Sequence, residues 1–218
     1  LAAIGKPAVR GLRGLLTAEK QNVRAEAAMA IGRIGSDASS AVPDLIAMFA
    51  DEELRVRTDV ARALGGFGEP ALEPLLKAAK DQRDSFRVGA IEALGVFQTP
   101  DRRATQSILD AARDNRSPQV RVAAIRSIVA YNVSDKVRLE VMLENLRHDD
   151  KSVRTAVVDF LAQETRLIRQ IESELFDLLL SESDGIAWHA AFVLLTKRSM
   201  SSTSRGMLGG SIVTCGRF

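Results

Sequence analysis

Arginine follows an apolar residue five times at near-constant spacing: Arg24, Arg57, Arg87, Arg121 and Arg154, after Val23, Val56, Phe86, Val120 and Val153. Guanidinium groups repeated along one surface could bind phosphates, or could pair with carboxylates through two parallel hydrogen bonds. Aspartates recur in step, because Asp51, Asp81, Asp114 and Asp149 stand four to six residues before the next apolar-Arg pair. An acid there can accept helix N–H groups and meet an arginine nearby, so the pattern predicts a structural Arg–Asp ladder rather than a row of ligand sites. One more step reaches Ile186-Ala187, where the apolar residue survives and the arginine is gone. A ladder rung is most dispensable where a stack ends.

Other chemistry is thin. The two histidines, His148 in RHDD and His189 in AWHAA, are far apart in sequence, with no second His or Cys beside either. That spacing makes a poor metal site. His148 is expected near a helix end, where positive charge is favoured, and His189 at the final packing interface. Asp149-Asp150 reads as a helix start rather than as paired catalytic carboxylates. No serine sits in a nucleophile elbow, and GMLGGS (206–211) lacks the spacing and the lysine of a phosphate loop. No cofactor is implied.

The elements that would position these residues follow from the spacing. The apolar anchors stand at 23, 56, 86, 120, 153 and 186, a near-constant step that is shortest between 56 and 86. Self-similarity at a period of about 33 residues marks a stack of repeated units. After Val56 come Val60, Ala61, Ala63 and Leu64, which is helical spacing with one broad buried stripe, and the same offsets recur after every anchor. These are the register helices. Between them a second set is predicted at 42–51, 72–81, 105–114, 137–146 and 172–181, with Pro43 and Pro74 near their starts. The stretch 166–180 (RLIRQIESELFDLLL) suggests a longer helix in the fifth unit, able to shield an end or join a partner. The fold class is therefore all-α: an α-solenoid of antiparallel helix pairs over 1–197, with a flexible or cap-forming tail over 198–218. Leu1-Ala2-Ala3-Ile4-Gly5 matches the last helical turn of later units, so the sequence is expected to open partway through a repeat of a longer protein.

The phrases VRAEAAMAIGRIG, ALEPLLKAAKD and FRVGAIEALGVF resemble HEAT repeats, particularly the short bacterial kind of the phycobilin lyases. The resemblance runs from residue 1 to about 197. It implies that the Asp and Arg of each unit form an inter-repeat ladder and that the second helix of each pair lines a concave face. It implies protein binding or scaffolding most often; some relatives attach bilins, hydroxylate a modified lysine or excise alkylated DNA bases. The hydroxylases resemble one another through repeated His-Glu pairs, and this sequence has no His-Glu step.

Charge decides among partners. The sequence has 30 basic and 28 acidic residues, but residues 197–218 hold four of the basic ones and no acid, so the repeats carry 26 against 28. A duplex-binding face should show a basic stripe. The positions three and six residues past each anchor read Glu26 and Met29, Asp59 and Arg62, Gly89 and Glu92, Ala123 and Arg126, Ala156 and Asp159, where acid and base cancel. Nucleic acid is disfavoured as a partner, and no stretch is apolar enough to span a membrane. The single Cys215 makes no internal disulfide, consistent with an expected cytoplasmic setting. The expected function is a non-catalytic scaffold segment, not an enzyme, that holds another protein through Arg62, Glu92, Arg102, Arg103, Arg126, Tyr131 and Asp159. Self-association through the C-terminal repeats is a further expectation. Lyase-like attachment of a tetrapyrrole and DNA binding are the alternatives.

Overall fold

The computed structural model describes residues 5–97, 101–114, 116–128, 133–180 and 185–195. Every regular element among them is helical, and together they form an all-α solenoid of paired helices. In chain order these are α1 (Lys6–Leu15), α2 (Gln21–Ile34), α3 (Val42–Ala47), α4 (Leu54–Gly65), α5 (Glu69–Ala78), α6 (Asp84–Gly95) and α7 (Arg102–Ala111). They continue as α8 (Pro118–Ser127), α9 (Asp135–Leu146), α10 (Lys151–Gln163), α11 (Thr165–Ile168), α12 (Glu172–Leu179) and α13 (185–195). Leu1–Ile4, Tyr131 and the tail 198–218 lie outside the described residues. The chain divides into two compact units, Leu1–Asn145 and Leu146–Phe218.

In the first unit the register helices α2, α4, α6 and α8 lie side by side in that order. The other layer is α1, α3, α5 and α7, each packed on its register partner. The predicted stripe faces inward: Ile31, Val60, Leu64, Ile91, Leu94 and Ile125 are fully buried against Leu45, Phe49, Leu72, Leu75 and Ile108 of the second layer. Neither layer could bury this apolar surface alone, so stacking and helix formation stabilise one another. Glycines nine residues past the anchors set how closely the register helices approach. A Cβ on Gly32 would lie 2.7 Å from the Ala63 Cα, and one on Gly95 would lie 2.6 Å from the Ser127 Cβ.

Four local features differ from the sequence expectation. The chain opens with α1, which the repeat register did not foresee; Pro7 occupies its first turn, and Val9 and Leu16 are buried. Helix α5 starts at Glu69, because Gly68 at φ 69° turns the chain and Pro70 takes the first turn. Pro74 is therefore interior to the helix and cannot donate to the Pro70 carbonyl. Arg102 and Arg103 open α7 instead of lying in a linker, since the Asp101 carboxylate accepts the N–H groups of Arg103 and Ala104 at 2.7 and 3.3 Å. The segment 42–51 is α3 followed by a 3₁₀ turn over Met48–Ala50.

In the second unit, Asp150 caps α10 by accepting the Ser152 N–H at 2.7 Å. The expected long helix is instead α11 and α12, separated at Arg169–Ile171. Leu167, Ile168, Ile171, Leu175 and Leu178 are buried while Phe176 and Leu179 are exposed. The apolar spacing alone suits one continuous helix equally well; the two short helices bury the same residues.

Candidate functional site

The recurring arginines have a common role that spacing did not reveal. Each guanidinium, Arg87 apart, donates to backbone carbonyls in the turn before its own helix. Arg24 reaches the carbonyls of Ala18 and Glu19 at 2.9 and 2.8 Å, and Arg57 those of Asp51 and Glu52 at 2.6 and 3.0 Å. Arg121 reaches Asp114 at 2.8 Å, and Arg154 reaches His148 and Asp149, both at 2.7 Å. These carbonyls lie just past the end of a helix, where no intrahelical N–H is available to them, and a cation there also complements the helix dipole. The series locks turns.

Four of the five arginines also reach the next pair, Arg154 through the His189 ring Nδ1 at 3.5 Å. Arg24 grips the Asp51 carboxylate with two bonds of 2.7 and 2.9 Å. Arg87, 1% exposed, pairs with Asp114 and also donates to Asp84 at 2.6 Å. Arg121 donates at 2.9 Å to the side-chain oxygen of Asn145, an amide inside α9. The remaining aspartates lie elsewhere. The interval from Val56 to Phe86 is the shortest of the series, and Asp81 in that shortened unit turns onto Arg83 at 2.9 and 3.0 Å. Asp149 is exposed and offers its backbone carbonyl to Arg154.

Burial pushes the Asp51 and Asp114 carboxyls up, but arginine and backbone N–H partners outweigh it and hold both below the usual range. Asp81, bonded to Arg83, is likewise held low.

The register helices of the first unit present an open groove of about 210 Å³. Ala61, Gly95, Val96 and Ala123 form its apolar walls, with Arg62 on α4, Glu92 on α6 and Arg126 on α8. Three residues predicted for partner binding thus come together, since each stands six residues past its anchor on adjacent parallel elements. Arg62 and Arg126 are exposed, and Arg62 lies 3.4 Å from the Asp59 carboxylate. Glu92 is half-buried, and burial raises its pKa against the opposing pull of Arg126, Arg57 and Arg62. Asp159 holds the equivalent position on α10 in the second unit and is exposed. Arg102 and Arg103 do not join the groove. They belong to the other layer, where Arg103 meets Glu73 at 2.5 Å and Asp101 at 3.2 Å. That layer has a wider open groove of about 700 Å³ between α5 and α7, lined by Lys77, Lys80, Asp110 and Arg116.

A carboxylate whose ionised form is disfavoured by burial costs stability at neutral pH. Glu92→Gln is therefore expected to raise the urea midpoint at pH 7. The native pKa of Glu92 lies above the unfolded value of about 4.3, so the gain appears as pH rises through that window and vanishes below it. Urea titrations at pH 4 and pH 7 test this; a gain at pH 4 equal to that at pH 7 contradicts it.

The histidines are tied to backbone. His148 Nδ1 accepts the Asp150 N–H at 3.0 Å, and buried His189 lies with its Nδ1 2.5 Å from the Gly185 carbonyl oxygen. Among the described residues no group of three or more His, Cys, Asp or Glu is placed to hold a metal ion, and no helix is long and apolar enough to cross a membrane.

Comparison with known proteins places this architecture. An archaeal HEAT-like repeats protein from Thermococcus onnurineus is 18% identical, with 90% of this chain and 89% of that one covered at a TM-score of 0.43. A designed armadillo repeat protein, solved with a (KR)4 peptide, is 14% identical over 86% of this chain and 98% of its own, at a TM-score of 0.44. An engineered protein is 19% identical over 88% and 96%, also at 0.44. No curated protein matches the sequence. The family described as HEAT repeats matches residues 9–95 and 72–162, which is most of the chain. Because that match covers more than half of its residues, the chain belongs to the HEAT-repeat family.

Proposed function

We propose that this chain is a non-catalytic scaffold segment that holds another protein against the register-helix groove of its first unit. Glu92 carries the reading. Its carboxyl is half-buried in the groove between Arg62 and Arg126, and burial disfavours its ionised form more than the arginine charges favour it, so a neutral side chain there would pack at lower cost. Residues kept against stability are characteristic of binding surfaces. Arginines of α4 and α8 in the same groove supply the side-chain type that dominates interface hot spots. The groove offers a partner an apolar floor with charges of both signs, an arrangement that fixes register and partner choice more than raw affinity.

A peptide library displayed against the full chain tests the proposal. Peptides selected on the wild type should lose at least about tenfold in affinity, roughly 1.4 kcal/mol, for Arg62→Glu with Arg126→Glu. The same peptides should bind Lys77→Glu with Lys80→Glu, altered in the opposite layer, as well as they bind the wild type. Binding that survives the groove pair and fails with the α5 pair would move the site to the other layer.

A further inference from the structure

The charges across the register-helix groove stand in a fixed order: Arg62 on α4, Glu92 on α6 and Arg126 on α8. Their access differs. Both arginines are exposed, whereas the carboxyl between them is half-buried. On α4 the Asp59 carboxylate is shared, lying 3.4 Å from Arg62 and 3.8 Å from Arg55, so one acid serves two exposed cations. Helix α8 reads PQVRVAAIRS and contains no Asp or Glu to set against Arg126. Beside Glu92 the floor is small or apolar, with Gly95 buried and Val96 48% exposed. A partner therefore meets a cation, then an apolar floor with a recessed carboxyl, then a second cation.

We propose that the partner lays an acidic segment across α4, α6 and α8, one carboxylate on Arg62, a second on Arg126 and an uncharged residue between them over Val96. The inference rests on the reading of this groove as the binding surface. An exposed guanidinium is matched by a carboxylate through two parallel hydrogen bonds. A partner's Lys or Arg could reach Glu92 only by passing between two arginines, and like charges oppose that approach. A third carboxylate set over Glu92 would face either a like charge or the cost of protonating one of the two groups. Glu92 thereby acts against a continuous acidic run and selects segments whose acids are separated, which is specificity by exclusion. A nucleic-acid strand fits poorly for the same reason, since it carries a charge about every 3.4 Å and some would fall over Glu92. Neighbouring packed helices stand about 8–10 Å apart, which puts α4 and α8 roughly 18 Å apart. The arginine side chains shorten that span, so in an extended segment the two acids lie about three to five residues apart.

Peptides selected from a displayed library on the full chain are measured again against Arg62→Gln, Arg126→Gln and Glu92→Gln. Helical circular dichroism checks each variant, and an Ala substitution at the same position replaces any that loses helix. Peptides that depend on the arginines should carry two Asp or Glu with no charge between them. Losing either arginine should weaken them about threefold, the worth of one exposed ion pair. Raising salt from about 0.05 to about 0.5 M should weaken them on the wild type as well. A Glu placed between their two acids should lower affinity for the wild type, and Glu92→Gln should recover most of that loss. Arginine-dependent peptides that prove basic or uncharged overturn the acidic assignment while leaving the groove as the binding surface. A central Glu that wild type and Glu92→Gln tolerate equally overturns the exclusion by Glu92. Peptides of which none responds to either arginine remove the groove itself, and this proposal with it. Displacement of the acidic peptides by a short DNA duplex at low micromolar concentration would assign the two arginines to phosphates and also overturn it.

Discussion

Replacing Arg87 by Ala is expected to destabilise the first unit by about 3–5 kcal/mol, the range for removing one partner of a buried ion pair. Arg87 is 1% exposed and joins Asp84, at the start of its own helix, to Asp114, in the turn after α7. The substitution leaves the half-buried Asp114 without its principal cation and opens a cavity where the Arg87 side chain packs. The Arg116 and Ser117 N–H groups still bond Asp114, which keeps the loss from being larger. Arg126→Ala, on the exposed groove wall, should change stability by less than about 0.5 kcal/mol. Urea unfolding of the two variants beside the wild type checks the contrast, and equal small shifts would mean the buried pair contributes nothing net. Acid should narrow the gap. The Asp114 carboxyl is pushed up by burial and pulled below its ordinary value by the Arg116 N–H and the Arg87 charge. Its contribution is present above about pH 4 and is lost as pH falls through the depressed native value, so wild type and Arg87→Ala should converge there.

Gly32→Ala should destabilise by about 2 kcal/mol although the change favours helix formation. On propensity alone the gain within α2 is about 1 kcal/mol. The added Cβ, however, would stand 2.7 Å from both the Cα and the Cβ of Ala63 and 3.1 Å from its carbonyl oxygen. Backbone cannot rotate aside as a side chain can, so α2 and α4 must separate, loosening the fully buried contacts of Ile31 and Leu64. Gly11→Ala is the control. That glycine is also helical, in α1, and a Cβ there meets nothing within 4 Å, so the propensity gain should appear alone. Thermal melts read the sign directly: a stabilised Gly32→Ala would show that the two helices adjust at little cost.

Much of the architecture was legible in the sequence, for a physical reason. A residue's face on a helix depends only on its own chain and a period of 3.6, so Val56, Val60 and Leu64 declare a buried stripe wherever they occur. The recurrence of that stripe at a near-constant interval then fixes the all-α pairing. The same arithmetic put Arg62, Glu92 and Arg126 on one face. It failed where capping rather than period sets the boundary. Gly68 and Asp101 moved two helix starts upstream, and Pro74 and Arg103 took places the stripe did not give them.

What tertiary structure alone decided is which groups meet between pairs. Arg24 and Arg87 each find an aspartate in the turn after the next helix, yet Arg121 finds the Asn145 amide, and Asp81 bonds Arg83. Those outcomes depend on turn length and on the approach of neighbouring helices, quantities that no local period encodes. The burial of Glu92 and the exposure of Trp188 and Phe192 belong to the same class. All three stand on the outward side of register helices, and only the packing around each helix determines how much of that side a neighbour covers. Local periodicity states which face a residue occupies; the distance between stacked helices, set by glycines such as Gly32 and Gly95 and by the turns that join them, decides what that face touches.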